Sequence, residues 1–263
     1  MSSACATTGH LVIGGGLAGP MLAMRLASAG REVTLLEKEQ SAHHKVCGEF
    51  LSREAVEYLR EAGVDPLTLG AATIRFIRLS VNKKVVDAVL PFTAVSLSRC
   101  TLDEALLSRA TLAGCNVQRG AFVECLTNRD GQWHAQLRGG ASWAAPTAYL
   151  ATGKHTLRGF ERAPCAQGDL VGFKLHWRLA PAQTESLREY MELFLFSGGY
   201  GGLCLVEEDI ANLCLVVRRT NLRKLGGWPR LLASILDRNT QLSHLLDGAQ
   251  PMWQQPLAIA SIP

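Results

Sequence analysis

The chain has 263 residues, 48% of them apolar and 19% charged, with a formal net charge of +4. That length can bury one large core or two modest ones, and the basic excess is spread along the chain rather than gathered into a nucleic-acid-binding patch. Apolar runs stop at about five residues, too short to span a bilayer, and the opening MSSACATTGH lacks the basic start and apolar stretch of a secretory signal.

The first predicted elements form one continuous unit. An apolar run, Leu11-Val12-Ile13, enters Gly14-x-Gly16-x-x-Gly19. A helical segment follows, with Ala23 and Leu26 facing inward and Gly30 closing it, and a second apolar run ends on Glu37. Each glycine has a mechanical task. Gly14 permits the turn out of the strand, Gly16 lets a pyrophosphate approach the backbone, and Gly19 lets helix and strand pack closely. The helix N-terminus turns free N–H groups toward the phosphates, and Pro20 costs little in the first turn. A carboxylate at 37 suits ribose hydroxyls, so this pocket is expected to take FAD or NAD rather than NADP.

A polar loop over 39–45 carries His43 and His44, expected to be solvated. Ser52 caps a helix that Gly63 closes. Residues 73–81 and 84–90 read as a hairpin turning at Asn82-Lys83, and 94–97 as another short strand. A helix is expected from Ser98 to about Ala113. Residues 116–122 and 123–127 read as strands, the second joined by Asn128-Arg129-Asp130-Gly131 to a strand over 132–137. Residues 148–153 read as a buried strand running into a glycine turn. From about 160 the character changes. Residues 170–179, 190–196, 202–206 and 211–218 read as an antiparallel sheet, backed by an amphipathic helix near Trp228.

The eight cysteines, Cys5, Cys47, Cys100, Cys115, Cys125, Cys165, Cys204 and Cys214, form no C-x-x-C pair and show no zinc-ligand spacing. With no secretory signal, they read as reduced thiols of a cytoplasmic protein, and no metal site is expected. No internal repeat or low-complexity tract is present.

Four separated blocks give these elements a family resemblance. They are the fingerprint with Glu37, KVCGEFLS from Lys45, SRCTLDEALL from Ser98, and the strand ending Ala151-Thr152-Gly153. Together with GGYGGLCLVEEDIANLCLVV from Gly198, they resemble the FAD-dependent oxidoreductases that include p-hydroxybenzoate-hydroxylase-like monooxygenases and geranylgeranyl reductases. The resemblance covers most of residues 10–218. It implies an α/β fold with two parts. A Rossmann-like FAD-binding domain would occupy 1–70 and 98–160, and a mainly antiparallel β substrate domain 71–97 and 161–263.

The resemblance also implies cofactor contacts at Gly14, Gly16, Gly19, Glu37, Lys38, Cys47, Gly48, Arg99, Val123 and Gly153. Arg99 opens the R-x-x-L-D-x-x-L helix, where a forked, always-charged guanidinium suits a pyrophosphate. Val123 matches the position whose backbone meets the adenine. Cys47 and Gly48 match the loop beside the isoalloxazine, and Cys47 is the one catalytic candidate, although a single cysteine is more often apolar filler. His176, beside Lys174 and Trp177, reads as a satisfied sheet histidine. Phe194, Phe196 and Tyr200 read as sheet core that could also line an apolar cavity.

One departure stands out. The family carries a later Gly-Asp motif that opens a helix over the pyrophosphate, whereas Gly168-Asp169 here leads into a strand. The chain therefore reads as a fragment, as a degenerate relative, or as a fold completed by a partner chain. Three functions remain open. The first is an FAD-dependent monooxygenase or reductase using NAD(P)H on a hydrophobic or aromatic small molecule, with the flavin carrying the chemistry. The others are an NAD-dependent dehydrogenase, for which no catalytic His or Lys–Tyr set stands out, and a non-catalytic dinucleotide-binding protein.

Overall fold

The computed structural model describes residues 5–161 and 168–260, so Cys165 lies outside the described residues. In chain order the first strands and helices are β1 (Cys5–Thr7), β2 (His10–Ile13), α1 (Ala18–Ser28), β3 (Val33–Glu37), β4 (Phe50–Leu51), α2 (Arg53–Glu61), β5 (Ala72–Val81) and β6 (Lys84–Ser96). Then come α3 (Arg99–Leu112), β7 (Asn116–Arg119), β8 (Val123–Arg129), β9 (Gln132–Leu137), β10 (Ser142–Ala145) and β11 (Thr147–Leu150). The last third holds β12 (Leu170–Arg178), α4 (Pro181–Leu187), β13 (Glu189–Phe196), β14 (Gly199–Leu205) and β15 (Ala211–Arg218). It closes with α5 (Arg219–Leu225), α6 (Trp228–Arg238), α7 (Thr240–Leu245), β16 (Gln250–Pro251) and β17 (Leu257–Ala260). Among the described residues no helix is long and apolar enough to cross a membrane.

The chain divides into two compact units. The first holds Ala62–Val64 and the described residues of Met1–His43 and Cys100–Ala163; the second holds His44–Glu61, Asp65–Arg99 and the described residues of Pro164–Pro263. The sequence carries the first domain to residue 70. The structure instead pairs β4 with β6 and groups 44–61 and 65–70 with the second unit.

The first unit is a Rossmann-like layer structure. Its four-stranded sheet runs β11-β2-β3-β7, all parallel. Both faces of β2 and β3 are covered, which explains their unbroken apolar runs. On one face Val12, Val33 and Leu35 pack with Ala23 and Met24 of α1 and Leu107 and Ala110 of α3. On the other, Leu11, Ile13 and Leu36 pack against the second small sheet, β1-β10-β9-β8, through Val123, Leu126, Ala135 and Ala145. The 128–131 turn forms as expected, with positive φ at both Asp130 and Gly131. The strand expected to run to 122 stops at Arg119, because Gly120 turns left-handed. The strand expected to be buried over 148–153 ends at Leu150, which is exposed, and the rest of β11 is half-buried.

The second unit is built on one nine-stranded sheet, ordered β16-β12-β15-β14-β13-β5-β6-β4 with β17 also on β12. It is mainly antiparallel. The exception is β13, which runs parallel to β5, so the 170–218 strands join the earlier hairpin in one sheet. Residues 94–97 are not a separate strand. β6 runs through Pro91 to Ser96, and a register shift opposite Ile74 and Phe76 absorbs the extra residues around the proline. One sheet face packs Phe173, Leu213, Leu215, Val217 and Phe194 against Leu231 and Ile235 of α6 and Leu242 and Leu245 of α7. Helices α4, α5 and α7, six or seven residues each, are too short to register as periodic patterns in the sequence.

That core contains one costly group. Glu192 on β13 is fully buried; its Oε2 lies 3.4 Å from the Gln241 amide and 3.8 Å from the Arg78 guanidinium, and its Oε1 has no partner. Burial pushes its carboxyl up to about 7 despite Arg78. A raised folded value stabilises the protein fully below the unfolded value near 4.5 and is lost as pH rises through about 7. Relative to Glu192→Gln, the native chain should therefore lose ~2–4 kcal/mol of stability between about pH 5 and pH 8. Urea unfolding of both proteins across that range checks this, and parallel curves would contradict it.

Candidate functional site

The fingerprint folds into a cradle defined by what cannot fit there. A Cβ on Gly19 would overlap the Gly14 carbonyl oxygen, and one on Gly14, at φ 115°, would overlap the Ala151 carbonyl of the neighbouring strand end. Gly15, which the sequence pattern leaves as an arbitrary position, is as constrained. A Cβ there would stand 2.6 Å from Glu37 Oε2. The Gly15 N–H donates to that same oxygen at 2.6 Å, and the Glu39 N–H donates to Oε1 at 2.9 Å. The β3 carboxylate is thus buried against the turn that leaves β2, with one oxygen bonded to each of two backbone N–H groups. α1, with Leu17 at its N-cap position, has no side-chain cap and no acid in its own first turn, which leaves its N–H groups and positive dipole end available to an anionic ligand.

The remaining predicted contacts are distributed over both units. Lys38 follows Glu37 and pairs with Glu39 at 3.5 Å. Val123 is buried at the start of β8, and Gly153 follows β11 with φ 61° and open space around its α-carbon. Arg99, Cys47 and Gly48 belong to the second unit. Arg99 is the first residue of α3, and Gly48 is exposed, with nothing packed where a side chain would stand. Gly168-Asp169 forms a turn entering β12 and opens no helix.

Around Cys47 and Gly48 the structure assembles a cluster that no local spacing announces. Glu49, at φ 60°, is buried, with Lys174 ion-paired to its Oε1. The same oxygen accepts the Arg99 N–H at 2.7 Å, and Oε2 lies 3.0 Å from His176 Nε2. His44 stands edge-on to His176 with ring centroids 4.8 Å apart, and Trp253 lies against both rings at 4.8 and 5.1 Å. His44 is therefore not a solvated loop residue. Desolvation, then the Lys174 charge, lowers its value to about 4, and its buried Nδ1 has no hydrogen-bond partner. His176 is satisfied, as expected, by a carboxylate from 127 residues earlier.

This cluster marks one end of a sheet face. Residues paired across a sheet share a face. Lys174, Cys214, Gly202, Leu193, Leu79 and Val86 stand in register across β12, β15, β14, β13, β5 and β6. The row runs from the buried lysine to exposed Leu79 and Val86, and Tyr200 and Leu195, paired in the next row, are exposed as well. Residues 47–48 cover the polar end, where the Asn212 amide donates to the Cys47 and Gly48 carbonyls at 3.2 and 3.1 Å. Phe194 lies on the opposite, helix-covered face as core, whereas Tyr200 is on the open one. Cys204 and Cys214 beside this face are pushed up to about 12 by burial, which leaves them protonated and unreactive. Cys47 Sγ accepts the Glu49 N–H at 3.4 Å. Glu49 and Lys174 were legible only as a polar residue in KVCGEFLS and a lysine in an otherwise apolar strand.

Comparison with known proteins agrees with the cradle. Residues 7–147, more than half of the chain, match the family model described as an FAD binding domain. No curated protein matches the sequence. Among solved structures, the myxobacterial chondrochloren halogenase CndH, an FAD-dependent halogenase, matches with TM-score 0.81 and 18% identity, over 97% of this chain and 64% of its own. The halogenase PltM matches with TM-score 0.80 and 14% identity, over 97% of this chain and 60% of its own. A flavoprotein/dehydrogenase from Cytophaga hutchinsonii gives 0.80 and 17%, over 96% of this chain and 66% of its own. The chain spans less than two thirds of the length of each of these proteins, and at such identities the likeness is one of fold.

Removing one member of a buried ion pair strands the other. Lys174→Met should cost ~3–5 kcal/mol by leaving Glu49 uncompensated, whereas Lys174→Met with Glu49→Gln should recover most of that loss. Urea unfolding of the single and double variants measures both. Equal losses would mean that packing at position 174, and not charge, is what counts.

Proposed function

The chain belongs to the FAD binding domain family, and on that premise we propose that it is an FAD-dependent oxidoreductase, a monooxygenase or reductase acting on a hydrophobic or aromatic small molecule with NAD(P)H as electron donor. The observation that carries this reading is the cradle of Gly14, Gly15 and Gly19 closed by the buried Glu37 carboxylate. The donor set suits the cofactor. The uncapped start of α1 suits a diphosphate, and a carboxylate has lone pairs to spare for ribose hydroxyls after accepting two N–H bonds. When bound, FAD would supply the electron-transfer chemistry.

The protein's own residues then have separable tasks. Gly14 and Gly19 keep the turn low enough for phosphate to reach backbone N–H groups, while Glu37 selects a ribose with a free 2′-hydroxyl. Lys38, Val123, Gly153 and the Arg99 guanidinium are assigned to further cofactor contacts, and Cys47 with Gly48 to the flavin ring, on the family resemblance. The apolar row through Leu193, Leu79 and Val86, with Tyr200 and Leu195 beside it, supports a hydrophobic or aromatic substrate lying along that sheet face. Protonated Cys204 and Cys214 and an ion-paired Lys174 at the row's inner end are poor nucleophiles, in keeping with chemistry borne by the cofactor. The free thiols of the described residues suit a reducing compartment such as the cytoplasm.

FAD titrated into the flavin-free chain should bind with quenching of flavin fluorescence, and NADPH or NADH should bleach the bound flavin. Glu37→Gln should weaken binding by roughly tenfold to a hundredfold, the worth of a charged hydrogen bond, and Gly19→Ala should abolish it. A chain that binds NAD but not FAD would overturn the reading in favour of a dehydrogenase. One that binds FAD but accepts no electrons from either nicotinamide would reduce it to a binding module.

A further inference from the structure

We propose that His44, Glu49 and His176 form a binding site for one divalent transition-metal ion of the zinc class, a site independent of the FAD cradle. The three residues each offer a ligand atom, and these atoms lie within 4.8 Å of one another. Two imidazoles and a carboxylate are the donor set of open zinc and ferrous sites, whereas magnesium and calcium prefer oxygen alone. All three residues belong to the second unit.

The carboxylate is already divided in the way such a site requires. Its Oε1 is committed to Lys174 and the Arg99 N–H, which fix the plane of the group from behind. Oε2 faces the imidazoles, 3.0 Å from His176 Nε2. A metal bound at ~2.0–2.2 Å to both atoms in tetrahedral geometry sets them about 3.3–3.5 Å apart. The hydrogen bond therefore opens by only a few tenths of an ångström as the ion replaces its proton, which moves to Nδ1 or leaves to solvent. His44 must travel further, and it can. It sits in the irregular stretch between β3 and β4 and is only half-buried. Its Nδ1 is buried without a partner, a condition that coordination relieves. Trp253 lies against both histidine rings and limits their rotation toward other orientations. The fourth position stays open for water or a substrate oxygen or nitrogen. The Lys174 ammonium opposes a second cation, so the site should bind more weakly than one with an unpaired carboxylate.

Calorimetric titration of Zn²⁺ into the chelator-treated chain should show one strong equivalent. His44→Ala should weaken it by roughly tenfold or more without lowering the melting temperature, His176→Asn should remove it, and His43→Ala should leave it unchanged. Co²⁺ in the same site should give ligand-field bands of a four- or five-coordinate ion without a thiolate charge-transfer band. Where His176→Asn fails to fold, His44→Ala and the Co²⁺ spectrum decide. The proposal falls if no equivalent is taken up, if uptake survives His44→Ala at full strength, or if a thiolate band shows the ion on cysteines. All of these outcomes are read on the FAD-free chain.

Discussion

The contact on which the first unit depends is the short hydrogen bond from the Gly15 N–H to the Glu37 carboxylate. It joins the turn after β2 to the end of β3, and it exists only because Gly14, Gly15 and Gly19 have no side chains to hold backbone, carboxylate and helix apart. The parallel sheet brings the two strand ends side by side, and apolar packing on both its faces holds that register. The helix can then begin with uncapped N–H groups beside a fixed negative charge. Diphosphate and ribose have opposite electrostatic needs, and this arrangement meets them within one turn of chain.

The second unit is organised around a different buried carboxylate. Glu49 takes a left-handed backbone conformation, and its side chain is shared by Lys174, His176 and the Arg99 N–H. A buried ion pair adds little net stability, because desolvation offsets most of the attraction. What it does here is positional. It pins residues 44–51 over one end of the sheet face, while Asn212 holds the carbonyls of Cys47 and Gly48 from below. The remainder of that face stays apolar and partly open. The polar cluster and the apolar row are thus two halves of one surface, set by the alternation of side chains along β12, β13 and β15.

Sequence and structure agree where the determinants are local. The glycine spacing, Glu37, the Asp130-Gly131 turn and the cap of α2 each act over a few residues, or across one β–α–β passage, and each was legible. Long-range pairings were not. β13 pairs in parallel with a strand more than a hundred residues earlier, and nothing in Glu189–Phe196 encodes that partner. The assembly of His44, Glu49 and His176 spans the same kind of gap, so His44 reads as solvated and Lys174 carries no sign of its acidic partner. A lysine inside an apolar strand was the one signal available, since such a residue must find a buried acid. The opposite happens at Pro91, where the sequence reads as two strands, 84–90 and 94–97, and a register shift carries β6 through as one.

A crystal structure of the chain with FAD or ADP bound is the most direct measure of the central claim, because it locates the diphosphate and the ribose relative to named atoms. The account predicts diphosphate oxygens over the turn at Gly14–Gly19, within hydrogen-bond distance of the first N–H groups of α1, and a ribose hydroxyl on Glu37. A nucleotide bound elsewhere, or one whose ribose leaves Glu37 bonded only to Gly15 and Glu39, would contradict it.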